Sequence, residues 1–386
     1  MLLALATGGL WRVLWFALAA AAVLGGLSAI MRVAGMSWAY IRQSLLVAYV
    51  IGYVSWFFLY GIIIDRISVL LSFALFLAVA SVGRPPHEWV RTGRDLLVFI
   101  AMWIAYDESR GIADSLGMPI QVESVRDIDR FLFFGNDGVV WLQERFLAPL
   151  GTVRWYDVVG SCIYYSHFIV PPITFAVLWL VNRHEWVRYM RRFATVMFIA
   201  CAMFIALPTA PPWMAANGSA RTGIEGGALP ELRRPTGNGW RTIGLEGFVE
   251  AWDVGRDWAN EVAAMPSLHS AYALFVVAFF WPKISRRWVR ICLSAYPVTM
   301  AVTLMYFGEH YFVDALAGWA IVGLSFFVWN RIERRLGERD GSDAADADDA
   351  ASDDAAVADS DAQPLAATNR DDEPATVLTA RERDGS

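Results

Sequence analysis

Long apolar stretches recur along the first 330 residues of this 386-residue chain, and they narrow the folds open to it more than any other feature. About 17–25 apolar residues cross a bilayer as a helix, because in hydrocarbon each backbone N–H and C=O must find its partner within the segment. Candidate spans lie near Trp11–Met31, Ser44–Ile64, Ile67–Val82, Asp95–Tyr106, Val158–Val181, Phe193–Leu207, Pro266–Trp281, Ile291–Phe307 and Tyr311–Trp329. Asp95–Tyr106 is short and needs flanking residues to span. No typical cleavage site follows the first segment, so it reads as a retained span rather than a removed leader. With 56% hydrophobic residues, the chain is too apolar for an ordinary soluble domain. The expectation is an all-α, polytopic integral membrane helical bundle of about eight or nine transmembrane helices. Cys162, Cys201 and Cys292 sit in apolar runs without metal-ligand spacing and read as buried small hydrophobes.

Charge divides the chain. From Asp340 onward 14 acidic residues stand against 3 arginines, whereas the remainder is net +5. The Ala/Asp-rich end cannot bury enough apolar surface to offset its ordering entropy, so a disordered acidic C-terminal tail is expected. This separates the tail over 336–386 from the apolar, mildly basic body. Basic connectors at Arg84–Arg94, Arg183–Arg192, Lys283–Arg290 and Arg331–Arg339 alternate with the loops Asp107–Asp157, Leu207–Ala264 and the turn Gly308–Glu309. If the basic segments are cytoplasmic, those three loops face outward and the tail lies in the cytoplasm of a multi-pass cell-membrane protein. Nine spans would then put Met1 outside. The first outer loop carries Ile128–Phe134, which reads as an amphipathic interfacial piece. The short basic segments fit topology rather than nucleic-acid binding.

The chemistry concentrates in two stretches. Pro266-Ser267-Leu268-His269 opens one span, and Glu309-His310-Tyr311-Phe312-Val313-Asp314 opens another. The orientation above puts both histidines on the extracytoplasmic side. His310 and Asp314 are four residues apart, so on a helix they share a face. A carboxylate on one imidazole nitrogen sets the tautomer and leaves the other lone pair free to attack phosphorus. His269 is then a candidate general acid for a leaving alkoxide. Pro266 suits the first turn of a helix, whose N–H groups, with Ser267, are candidates to hold phosphate oxygens. Ionisable residues inside membrane segments are costly and usually functional. His167, deep in an apolar span, is a further candidate for substrate contact.

These stretches resemble the second and third signature motifs of the type 2 phosphatidic acid phosphatase superfamily: Pro-Ser-Gly-His, and Ser-Arg followed after five residues by His and three later by Asp. Leu268 stands where glycine is usual, and Thr303-Leu304 where Ser-Arg is usual. Of the first motif only Arg234-Pro235 is present, with Gly227 where its lysine would be. Pro-Ser-Leu-His and His-Tyr-Phe-x-Asp resemble one branch, the inositol phosphorylceramide synthase-like lipid phosphotransferases. Tyr164–Phe168 followed by Pro171-Pro172, and Pro208–Trp213, are similar to it as well. The resemblance covers roughly Asp95 to Trp329, which implies N-terminal transmembrane helices over 1–94, a catalytic transmembrane domain over 95–335 and the acidic tail over 336–386. It implies His310 as nucleophile forming a phosphohistidine, Asp314 orienting it and His269 protonating the leaving group, with no metal or other cofactor. With the usual Lys and Arg absent, the charge on the transferring phosphoryl group needs other cations; Arg110 and Arg234 are the candidates.

The leading expectation is therefore an enzyme that cleaves a lipid phosphoester at the extracytoplasmic face. It would pass the phosphoryl-bearing group, phosphoinositol or a similar headgroup, to an alcohol acceptor or to water. Alternatives are a lipid phosphate or polyprenyl diphosphate phosphatase, a non-catalytic lipid-binding or transport protein on the same scaffold, and a metal-dependent hydrolase with His269, His310 and Asp314 as ligands. Zinc would want closer, paired spacing. The donor lipid, the acceptor and the oligomeric state are not legible at this stage.

Overall fold

The fold is described from a computed structural model covering residues 10–61, 63, 66–113, 118–244, 246, 249 and 261–360; of residues 10–17, 66, 67, 107, 110–113 and 337–360 only the backbone is described. Its α-helices are α1 Leu10–Val33, α2 Trp38–Tyr60, α3 Arg66–Ser81, α4 Pro86–Ala113, α5 Glu123–Leu132, α6 Gly138–Phe146, α7 Trp155–Val181, α8 Arg183–Ala206, α9 Pro212–Asn217, α10 Asn238–Thr242, α11 Leu268–Phe280, α12 Arg287–Tyr306 and α13 Phe312–Ser360. Only isolated bridges, such as Gln121–Thr209 and Thr209–Ala263, relieve this helical architecture among the described residues.

Each of the nine expected apolar stretches is helical. Among the described residues, five helices are long and apolar enough to cross a membrane: α2, α7, α8, α12 and the Phe312–Leu336 part of α13. Leu18–Val33 and Ser68–Ser81 are shorter apolar helices. The protein is thus a helical polytopic membrane protein. The expected short span Asp95–Tyr106 is the middle of the 28-residue α4. The expected span Pro266–Trp281 contains only the 13-residue α11, about 20 Å long and too short to cross alone. Leu268, Ala271, Tyr272, Phe275 and Phe279 of α11 are buried, so it is an interior element rather than a lipid-facing one.

Residues Met1–Trp329 form one compact unit and Asn330–Ser386 a second. The expected division at residue 94 falls inside α4. Phe76, Leu77 and Ala80 of α3 join a core with Phe175 and Trp179 of α7, Tyr189 and Val196 of α8, Phe275 of α11 and Ile321 of α13. The backbone of α13 stays helical through alanine-rich sequence to Ser360, in keeping with the high helix propensity of alanine. Residues 361–386 lie outside the described residues, and the disorder of the tail remains an expectation from composition. Cys201 is buried as expected; Cys162 and Cys292 are exposed, on helices whose apolar surface faces outward.

The two ends of the bundle differ in chemistry. At one, Asp95 accepts from Trp179 Nε1 (3.0 Å) and pairs with Arg183, while Lys283 pairs with Glu185. Arg183, Glu185 and Lys283 belong to the basic connectors, and Asp95 directly follows the connector Arg84–Arg94. At the other, the long loops carry a small core of their own, with Val125, Val139, Leu229, Leu232, Met305 and Tyr311 buried together. Gln143 Nε2 donates to the carbonyls of Arg233 (2.8 Å) and Tyr306 (2.9 Å), and Trp213 N–H donates to Gly308 C=O (3.0 Å). These bonds clamp both loops onto the turn that carries His310.

A close helix approach joins the N-terminal end of α11 to α13 at Gly318. A Cβ there would lie 2.6 Å from Ser267 O and 3.2 Å from Ala271 Cβ. Small residues let membrane helices approach in this way. Gly318→Ala is therefore expected to lower stability by roughly 1–3 kcal/mol through overpacking, read as a lower thermal midpoint in detergent.

Candidate active site

The Pro-Ser-Leu-His stretch ends in the first turn of α11. Ser267 is its N-cap, accepting from Ser270 N–H through Oγ (3.4 Å). Its own N–H donates to Asp314 C=O (2.9 Å), and Trp319 Nε1 donates to Ser270 C=O (3.1 Å). The two motifs therefore touch through their backbones. Ser267 is fully buried and its polar groups are engaged within the protein. Ser267 thereby joins the two motifs, its N–H on Asp314 C=O and its Oγ accepting from Ser270 N–H.

His310 does not lie on the helix with Asp314. It sits in the turn before α13, where the N–H groups of Glu309 and His310 fold back on Leu304 C=O (3.0 and 3.4 Å). Gly308 has φ +71°, a left-handed conformation that glycine adopts without a side-chain clash. His310 Nδ1 lies 3.3 Å from Asp314 Oδ2, which also accepts from Tyr311 N–H (2.9 Å). Asp314 is fully buried and His310 nearly so. With a proton on Nδ1 shared toward Asp314, the lone pair of Nε2 is free. The rings of His269 and His310 are 5.7 Å apart, tilted by 59°.

Helix α7 supplies the opposite wall. Tyr164 stacks on His269 at 4.7 Å, and His167 lies 4.1 Å from the His269 ring and 5.3 Å from that of Tyr272. His167 Nδ1 is buried and has no hydrogen-bond partner among the described residues. Arg234 pairs with Glu309, the residue beside His310: Nε and Nη2 donate to Glu309 Oε1 (3.0 Å) and Oε2 (2.8 Å). Thr236 Oγ1 donates to Glu309 Oε1 (3.1 Å), and the Arg234 guanidinium lies 4.3 Å from the Trp213 ring. Arg110 is in the last turns of α4, but its side chain lies outside the described residues. Among the described residues, no group of three or more His, Cys, Asp or Glu side chains is arranged to hold a metal ion.

Two positions carry more weight in space than in sequence. Glu309 was legible only as a neighbour of His310. Asp129, inside the amphipathic stretch, is buried on α5 and accepts from Val313 N–H (3.0 Å) at the start of α13. No local signal marks a contact between residues 184 positions apart. Burial pushes the Asp129 carboxyl up to about 6; hydrogen bonds from Val313 and Phe312 oppose the rise, and the charge of Asp314 adds to it.

A model of the PAP2 superfamily matches residues 127–328. The chain is also 32% identical over 283 residues to a phosphoinositol dihydroceramide synthase from Bacteroides thetaiotaomicron, an alignment covering 69% of this chain and 85% of the relative. The chain belongs to the PAP2 superfamily. Within it, the chain falls in the inositol phosphorylceramide synthase-like branch that its motif forms resemble. No solved structure matches it. The matched segment of this PAP2 protein starts at α5, so it takes in Asp129 and the loop core as well as both histidine motifs.

The raised carboxyl has a sign. Its native value of about 6 exceeds its ordinary 3.8, so the native state holds more protons between those limits and stability falls as pH rises through them. Asp129→Asn removes this dependence. Its stability relative to the unsubstituted protein should therefore rise between pH 4 and pH 7, by on the order of 2 kcal/mol, in thermal melts in detergent at the two values.

Proposed function

We propose that this PAP2-superfamily enzyme transfers a phospho-alcohol headgroup, phosphoinositol or a close analogue, from a donor lipid to an alcohol-bearing lipid acceptor. The observation that carries the reading is the meeting of His269 and His310 with Asp314 on the Nδ1 side of His310. The name of the Bacteroides relative supports the headgroup and the lipid acceptor class.

In the first step His310 Nε2 attacks the donor phosphorus. A P–N bond forms, the bond from phosphorus to the donor's lipid oxygen breaks, and His269 protonates that oxygen. Asp314 holds the Nδ1 proton and stabilises the positive charge that develops on the ring. In the second step the acceptor hydroxyl gives its proton to His269 and attacks phosphorus. The P–N bond breaks and His310 is restored. Water in the acceptor's place gives hydrolysis, so transfer depends on keeping water from the intermediate. Arg234, kept in place by Glu309 and Trp213, is the candidate cation for the phosphoryl oxygens, with Arg110 as a second. His167, with its buried unpartnered Nδ1, is positioned to take a hydrogen bond from the substrate. Every step uses side chains of the protein, without a metal. The alternation of basic connectors and long loops supports a site on the extracytoplasmic face of the cell membrane, with the acidic tail in the cytoplasm.

Purified protein in detergent with chelator, given a phosphorus-labelled phosphoinositol lipid and a ceramide-type acceptor, should label the acceptor. His310→Ala should abolish turnover, and Asp314→Asn should lower it by roughly 10²–10⁴-fold through loss of tautomer control. Label released only to water would turn the assignment to a phosphatase. Activity that requires an added metal would remove the metal-free mechanism.

A further inference from the structure

The first turn of α13 carries the catalytic carboxylate but lacks an ordinary cap. In a capping box the N-cap side chain accepts from an N–H of the first turn while the third helical residue accepts from the N-cap N–H. Only half of that is present in cis. Tyr311 precedes the helix and Asp314 is its third residue, and Asp314 Oδ2 accepts from Tyr311 N–H (2.9 Å). A tyrosine side chain cannot fold back to accept from its own helix's first turn. The missing acceptor comes from elsewhere: Asp129 Oδ1 takes Val313 N–H (3.0 Å), from α5.

We propose that Asp129 is a positioning residue for the catalytic pair, capping α13 in trans so that Asp314 stays committed to His310. This rests on the assignment of His310 as nucleophile and concerns how its partner is held. Two carboxylates divide the donors at one helix end: Asp129 takes Val313, while Asp314 takes Tyr311 and the imidazole. The second oxygen of Asp314, Oδ1, is buried and has no hydrogen-bond partner among the described residues. With Asp129 gone, the first turn carries an unsatisfied N–H at Val313, and its main-chain hold from outside reduces to Ser267 N–H on Asp314 C=O. Asp314 can then turn toward other donors, and its 3.3 Å contact with His310 is the weaker of its two bonds and the first to go. Helix α5 is itself held in place, since Arg126 binds Asp137 through two 3.0 Å bonds. Its far side exposes Ile128 and Phe131, so the cap comes from a helix that also faces the surroundings of the protein.

The test compares Asp129→Ala, Asp129→Asn and His310→Ala in the full chain. An asparagine side-chain oxygen still accepts from Val313 N–H; alanine cannot. Asp129→Ala should lower kcat roughly 100-fold through misplacement of the pair, with KM changed less than about twofold. Asp129→Asn should recover kcat to within about tenfold of the unsubstituted protein, since one neutral acceptor replaces an ionic one.

A second readout needs no turnover. The chain holds 5 histidines, so ring ¹⁵N-labelling gives few signals, and His310→Ala assigns the one of interest. The His310 ring should favour the Nδ1–H tautomer in the unsubstituted and Asp129→Asn proteins and become a mixture in Asp129→Ala. If the unsubstituted protein shows no lipid turnover, the proposed function fails while the tautomer comparison still decides the capping role. If Asp129→Ala does not fold, Asp129→Asn decides: kcat within tenfold and an unchanged ring signal support the role. A hundredfold loss in Asp129→Asn, or an Asp129→Ala protein with unchanged kcat and tautomer, overturns it.

Discussion

The geometry of the site depends on the docking of the α11 N-terminus against the first turns of α13. Ser267 N–H binds Asp314 C=O, Trp319 Nε1 binds Ser270 C=O, and Gly318 lets the two backbones close. The Ser267–Asp314 bond runs through main-chain atoms, so it fixes the backbone segments that carry the two histidines against each other. In a bilayer such bonds carry added importance, because an N–H left open has no water to turn to. The short α11 follows from the same packing: it is enclosed by α7, α8, α12 and α13 and has no need to span by itself.

The long loops act as structure rather than as loose cover. Gln143 ties the segment at Arg233 to the end of α12, Trp213 ties another to Gly308, and Asp129 ties α5 to α13. All three bonds converge on residues 306–313, the turn that presents His310. Arg234 reaches that turn through Glu309 while its guanidinium lies over Trp213. A guanidinium fixed on two sides loses little freedom when it meets a phosphoryl oxygen, which is the form of preorganisation that electrostatic catalysis requires.

The carboxylates near His310 come at a cost in stability. Asp314 is fully buried, Asp129 nearly so, and each raises the energy of the other's charge. Burial of like charges is unfavourable unless donors are supplied. Here the donors are the free N–H groups of one helix end, whose partial positive charge suits both acids. The arrangement is intelligible as a compromise in which helix-end donors stabilise charges that a purely structural core would exclude.

Much was legible in the order of residues. Apolar runs of spanning length require helices in a membrane, and all nine expected stretches are helical. The Pro-Ser-Leu-His and His-Tyr-Phe-x-Asp patterns carried the family, and the residue types needed for phosphoryl transfer stand within them. What the order of residues did not contain was distance between segments far apart along the chain. It put His310 on a helix, whereas the turn at Gly308 leaves it just before one. It did not show that Ser267 N–H meets Asp314 C=O where Gly318 lets the two helices close. It passed over Asp129, whose partner lies 184 residues away. Helix formation and residue chemistry are local properties and can be read along the chain. Which donor meets which acceptor is settled by packing between helices, and only the tertiary structure decides it.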